Sequence, residues 1–141
     1  MTARLHHVGI AVRDLEQARA RWELALGAAA GPVEQVPEEG VRIAFIEAGQ
    51  SRIELLEPLD EHGPVARFLA RRGEGVHHLA FAVDDLAAAL ERLKAAGVQV
   101  LDEQPRVRGN GDRSIVFIHP RAMGGVLTEL VEYHRQGARE G

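Results

Sequence analysis

No cysteine occurs among the 141 residues, so disulfides, thiolate nucleophiles and sulfur metal sites are all excluded. Any metal this chain binds must therefore sit on imidazole and carboxylate. Lysine is nearly absent: Lys94 stands alone beside sixteen arginines, a compositional bias that carries little functional weight. An excess of positive charge is missing too. The net charge is -4 and the isoelectric point about 6.0, which argues against nucleic acid as the main partner. No apolar run approaches the roughly 18 residues of a membrane span. The first residues, Met1-Thr2-Ala3-Arg4, run straight into a strand-like segment with no signal peptide in view, so a cytoplasmic protein is expected. The length suits a single domain over residues 1–141, with enough chain to build a core.

What is present is a repeat. Residues 5–15 read LHHVGIAVRDL and residues 76–86 read VHHLAFAVDDL, with six of eleven positions identical at an offset of 71. Each stretch continues into an Ala- and Leu-rich helical pattern that ends at a glycine, Gly27 or Gly97. IELLEP from Ile53 and TELVEY from Thr128 repeat at an offset of 75. The extra residues are placed in a longer loop around Arg106 to Arg113. Two copies are too few for a solenoid and indicate a duplicated half-domain. The fold class is α+β: tandem βαβββ modules, about 5–58 and 76–132, expected to form one curved, largely antiparallel sheet around a cavity. Asp14 and Asp85 are expected helix N-caps, Pro64 to Arg72 a connecting helix, and Arg135 to Gly141 a frayed end.

Strand alternation sorts the seven histidines. His6, Val8, Ile10 and Val12 share a face fit to pack under a helix. Leu5, His7, Gly9 and Ala11 share the other, whose small side chains cannot fill a core and leave it suited to open space. The second copy agrees, with His78, Ala80 and Ala82 on the small face. Glu54 and Glu129 are each the lone acid in the apolar part of a strand, and a buried carboxylate is costly unless paired or metal-bound. Two imidazoles and two carboxylates make a pseudo-symmetric N₂O₂ set suited to Co²⁺, Mn²⁺, Fe²⁺, Ni²⁺ or Zn²⁺. The alternative is that Glu54 and Glu129 pair with arginines such as Arg52 or Arg113. His6 and His77 are read as packing residues, His62 and His134 as surface, and His119 as a turn anchor.

In these features the chain resembles the vicinal oxygen chelate superfamily. More narrowly it is similar to the methylmalonyl-CoA epimerase family, on His7-Val8-Gly9-Ile10-Ala11-Val12, Ile53-Glu54-Leu55-Leu56-Glu57-Pro58, Gly75-Val76-His77-His78-Leu79, Phe117-Ile118-His119-Pro120 and Gly124-Gly125-Val126-Leu127-Thr128-Glu129-Leu130. The likeness spans about residues 5–132. It implies metal ligands at His7, Glu54, His78 and Glu129, with Co²⁺ as the first candidate ion. It implies interconversion of (2R)- and (2S)-methylmalonyl-CoA by proton transfer at C2, with Glu129 as one acid/base and Glu54 as the second candidate. An acyl-CoA substrate and a homodimer are expected, without nucleic acid or membrane as partner. One departure stands out: Ile43 occupies the place where some epimerases carry a second catalytic Glu. Glu47 shares its strand parity and is a weaker candidate.

Arg67, Arg71 and Arg72, and separately Arg106, Arg108 and Arg113, are the basic clusters suited to coenzyme A phosphates. A rival enzyme is a glyoxalase I-like lactoylglutathione lyase acting on thiol hemithioacetals with the same ligand set. An extradiol dioxygenase draws its ligands from one module, whereas here both contribute. A non-catalytic small-molecule binding protein of the same fold is the reading from a different class, and retention of all four ligand residues counts against it.

Overall fold

The computed structural model describes residues 3–134. Its elements are β1 (Arg4–Ala11), α1 (Leu15–Leu26), β2 (Glu34–Val36), β3 (Val41–Ala48), β4 (Ser51–Pro58), α2 (Pro64–Arg72), β5 (Gly75–Ala82), α3 (Leu86–Ala95), β6 (Arg106–Arg108), β7 (Arg113–Ile118) and β8 (Thr128–Tyr133). The described residues divide into two compact units, residues 7–77, and residues 3–6 with residues 78–134. Among the described residues no helix is long and apolar enough to cross a membrane.

In the first unit the strand order is β2-β3-β4-β1. The β3–β4 and β2–β3 pairs are antiparallel and β1–β4 is parallel. One face carries Ile10, Val12, Ala44, Ile46 and Leu55 against Leu15 and Ala18 of α1, with Val8 and Trp22 at the margin. Leu15, Ala18 and Trp22 recur at the spacing of one helical face. The opposite face carries Ala11, Val41, Ile43 and Leu56 against Val65 and Leu69 of α2. The small side chain of Ala11 thus makes room for α2 rather than for open space, a correction to the reading of that face. Gly49, at φ 68°, supplies the left-handed residue of the tight β3–β4 turn.

The second unit repeats the plan in the order β5-β8-β7-β6, again with one parallel and two antiparallel pairings. Leu86, Leu90 and Val116 pack on one face with Val83, Val100 and Leu130. Ala82, Ile115 and Val131 occupy the other with Phe117. Two strands escaped the sequence reading. Glu34–Val36 and Arg106–Arg108 are three-residue edge strands with little apolar content. The segment read as a loop from Arg106 is therefore a hairpin into β7. The end from Arg135 lies outside the described residues.

Both long helices are anchored twice, in the same way. Asp14 accepts from the Gln17 amide and Asp85 from the Ala88 amide, as N-caps do. The preceding free amide of each helix finds a carboxylate on a strand: Leu15 N–H donates to Glu57 (3.1 Å) and Leu86 N–H to Glu132 (2.8 Å). An anion near a helix N-terminus also complements the helix dipole. Replacing Glu132 by Gln keeps an acceptor but removes the charge. Denaturant unfolding should show a loss of about 1 kcal/mol, and Glu132→Ala should cost more by leaving the amide unpartnered.

Candidate active site

Each unit sets one histidine against one glutamate on the sheet face opposite its long helix. In the first, the parallel register places Gly9 of β1 beside Glu54 of β4, and His7 Nε2 lies 3.2 Å from Glu54 Oε1. In the second, Ala80 of β5 lies beside Glu129 of β8, and His78 Nε2 is 3.5 Å from Glu129 Oε1. Residues 9 and 80 differ by 71 and residues 54 and 129 by 75, the same offsets as the sequence repeat. The small residue opposite each glutamate leaves space for its carboxylate. His7, His78 and Glu129 are 6%, 5% and 8% exposed, and the Glu54 side chain is nearly as well covered.

These separations bear on what the pairs can hold. A charge-assisted N–H···O bond closes to about 2.7–2.9 Å, shorter than either pair. Two ligand atoms about 2.0–2.2 Å from one small divalent ion stand roughly 3.0–3.5 Å apart in octahedral or tetrahedral arrangement. Both pairs fall in that range. Both also use the same atoms, an imidazole Nε2 and a carboxylate Oε1. Neutral imidazole with carboxylate is a donor set for a borderline or hard divalent ion, so the residues fit such a metal. The arginines weighed as alternative partners turn elsewhere, Arg52 to Glu47 (3.0 Å) and Arg113 to Asp112 (3.4 Å).

A phenylalanine backs each imidazole. The Phe45 ring meets His7 edge-on at 6.2 Å between centroids, and Phe117 meets His78 likewise at 6.2 Å. Phe45 pairs in register with Glu54, and Phe117 with Glu129. Arg52 stands over the Phe45 ring at 4.4 Å and Arg106 over Phe117 at 5.6 Å. The sequence reading did not single out these rings. Their signal was present as a second repeat, Ala44-Phe45-Ile46 and Val116-Phe117-Ile118 at an offset of 72.

The other candidates separate cleanly. Half-buried His6 shares a hydrogen bond with the Tyr133 hydroxyl at 3.1 Å, and His77 packs edge-on against Phe68. His62 is exposed, while His119 accepts from the Arg121 amide and anchors a turn, as expected. His134 is not simple surface: it is half-buried and bonded to Ser114 at 2.8 Å. Ile43, 7% exposed, sits in the apolar cluster under α2 with Val65 and Leu69. A carboxylate in these surroundings would be buried among hydrocarbon, at a cost that the isoleucine side chain does not incur. Glu47 is exposed and held by Arg52. Of the arginine clusters, Arg67 donates to the His62 carbonyl, Arg72 lies over Phe68, and Arg106 pairs with Asp102.

A duplicated βαβ-type module with one buried His–Glu pair per copy defines a class, and comparison with known proteins agrees. A model of the glyoxalase/bleomycin resistance protein/dioxygenase superfamily matches residues 6–117, and the chain belongs to that superfamily. It is 42% identical over 132 residues to the ethylmalonyl-CoA/methylmalonyl-CoA epimerase of Cereibacter sphaeroides, covering 92% of this chain and 98% of that one. The crystal structure of methylmalonyl-CoA epimerase from Mycobacterium tuberculosis is similar at a TM-score of 0.85, with 41% identity over 94% of this chain and 89% of that one. A methylmalonyl-CoA epimerase in complex with methylmalonyl-CoA and NH4+ is similar at a TM-score of 0.86, with 37% identity over 94% and 96% of the two chains. Within the superfamily, the chain is a member of the methylmalonyl-CoA epimerase family.

Proposed function

We propose that this chain interconverts (2R)- and (2S)-methylmalonyl-CoA, with His7, Glu54, His78 and Glu129 together holding one divalent ion. The observation that carries the reading is the repeated Nε2–Oε1 spacing of 3.2 and 3.5 Å in the two pairs. Membership of the epimerase family supports the substrate, and a relative solved with methylmalonyl-CoA supports a small acyl-CoA ligand. The ion, when bound, supplies Lewis-acid stabilisation for negative charge that develops on the substrate oxygens.

The chain's own residues then move the proton. The hydrogen at C2, between a thioester and a carboxylate, is only weakly acidic. One carboxylate removes it, the C–H electron pair passes into the enolate, and a second acid returns a proton to the opposite face of C2. We assign Glu129 to one of these roles and Glu54 to the other, since Ile43 offers no acid and Glu47 is engaged by Arg52. The buried surroundings of both pairs strengthen such electrostatic effects over those in water. Co²⁺ is our first candidate ion, and we read residues 1–141 as one working domain of a cytoplasmic homodimer.

Deuterium uptake tests the activity. Protein stripped with chelator and reloaded with Co²⁺ is expected to wash deuterium into C2 of methylmalonyl-CoA in D₂O, with loss of stereochemical purity, when followed by NMR. Metal uptake without exchange or epimerisation at C2, alongside turnover of a thiol hemithioacetal, would instead assign the site to lyase chemistry.

A further inference from the structure

We infer that Asp102 is a positioning residue for the His78–Glu129 pair, acting through Phe117. Asp102 is a buried carboxylate, 7% exposed, that the proton transfer does not use. One oxygen accepts from the Phe117 amide at 2.7 Å and the other binds Arg106 Nε at 2.5 Å. The Leu101 amide donates to the Phe117 carbonyl at 2.8 Å. Both backbone polar groups of Phe117 are thus held by the two residues Leu101 and Asp102, beyond the point where β6 ceases to pair with β7. The same Arg106 that Asp102 grips stands over the Phe117 ring, and that ring meets the His78 imidazole edge-on. Backbone, ring and cation are tied to one buried carboxylate.

In the first unit the Phe45 carbonyl is held in the same way, by the Gly31 amide at 2.8 Å, but the arginine over the ring has a different partner. Arg52, over Phe45, is paired with Glu47, whose side chain is 67% exposed against 6% for Asp102. An exposed ion pair holds its partners weakly, whereas a buried carboxylate satisfied by a backbone amide and a guanidinium is fixed. The ring beside His78 is therefore anchored through a buried carboxylate, and the ring beside His7 through an exposed one. Groups hydrogen-bonded to a metal-binding histidine commonly change affinity by about 10–100-fold when lost, and Asp102, one contact further out, is expected at the low end of that range. That part of the inference rests on the metal reading above, while the placement of the His78 ring does not.

The test reads both. In metal-free protein, the His78 ring resonance is followed by proton–carbon NMR. In the same preparations, Co²⁺ affinity is followed by visible absorption. Asp102→Asn keeps an acceptor for Phe117 but loses the charge that holds Arg106, and is expected to shift the His78 resonance and weaken Co²⁺ binding about tenfold. Asp102→Ala, which also leaves the Phe117 amide without its acceptor, should weaken it further. Leu90→Ala, in the core beside α3, serves as a control of comparable instability and should leave both readouts at the wild-type values. Wild-type values in both Asp102 variants would overturn the inference, as would an equal shift in Leu90→Ala. A wild-type protein that takes up no Co²⁺ would overturn the metal reading alone, and the ring resonance would then decide the positioning role by itself.

Discussion

Glu129→Gln is expected to slow epimerisation by about 10²–10⁴-fold, the usual worth of a positioned acid/base. The amide has nearly the shape of the carboxylate, so the buried site, 8% exposed, should close around it without a cavity. It retains an oxygen beside His78 Nε2 but cannot take a proton from C2. Glu54→Gln likewise keeps an oxygen beside His7 Nε2 but cannot take up a proton, so a loss of rate at full metal content would identify Glu54 as the second acid/base. The measurement is the initial rate for each epimer separately, with deuterium incorporation at C2 and with Co²⁺ content checked in every variant. A Glu129→Gln enzyme with full metal content and a rate within a few-fold of wild type would remove Glu129 from the proton path.

Removing the ion should have an effect of the same order. Lewis-acid stabilisation of developing charge is worth several kcal/mol, and each 1.36 kcal/mol is about a factor of ten in rate. Chelator-treated protein is therefore expected to lose about three orders of magnitude in C2 exchange and to regain it on addition of Co²⁺. His7→Ala and His78→Ala each delete one imidazole of a matched pair and should both weaken Co²⁺ binding. Because the two histidines occupy equivalent places, at 3.2 and 3.5 Å from their glutamates, neither loss should be silent. Full activity in chelator-treated protein with no residual metal would require a mechanism resting on protein groups alone.

The repeat made much of this visible before any coordinates. Identity between residues 5–15 and 76–86 marks where β1 and β5 begin, and strand parity alone separates His7 from His6 and His78 from His77. The helix limits were legible because their signals are local: Asp14 and Asp85 cap, and Gly27 closes α1 in the left-handed conformation. The edge strands β2 and β6 were not legible, since three residues with a single valine among them carry no hydrophobic period and owe their conformation to the neighbouring strand. The role of Ala11 was misread for a related reason. A small side chain marks room, but only the path of α2, set by packing at Val65 and Leu69, decides what enters it. Asp102 was hidden more deeply. Arg106 lies only four residues further on, but the Phe117 amide, fifteen residues away, reaches it through a tertiary contact that no spacing in the sequence announces.

The duplicated helix anchor has a consequence for how the strands find their register. Glu54 and Glu57 stand three apart on β4, and Glu129 and Glu132 three apart on β8, so each strand offers one carboxylate to either face. In the native register one meets imidazole and the other meets a helix amide. A slip of one residue exchanges the faces of every side chain in the strand. In the first unit it would drive Glu54 toward the apolar layer of Val8 and Ile10 and strip the Leu15 amide of its acceptor. Two penalties thus arise from a single error. The pattern acts as a proofreading device, in which a strand that cannot close its helix also cannot deliver its ligand.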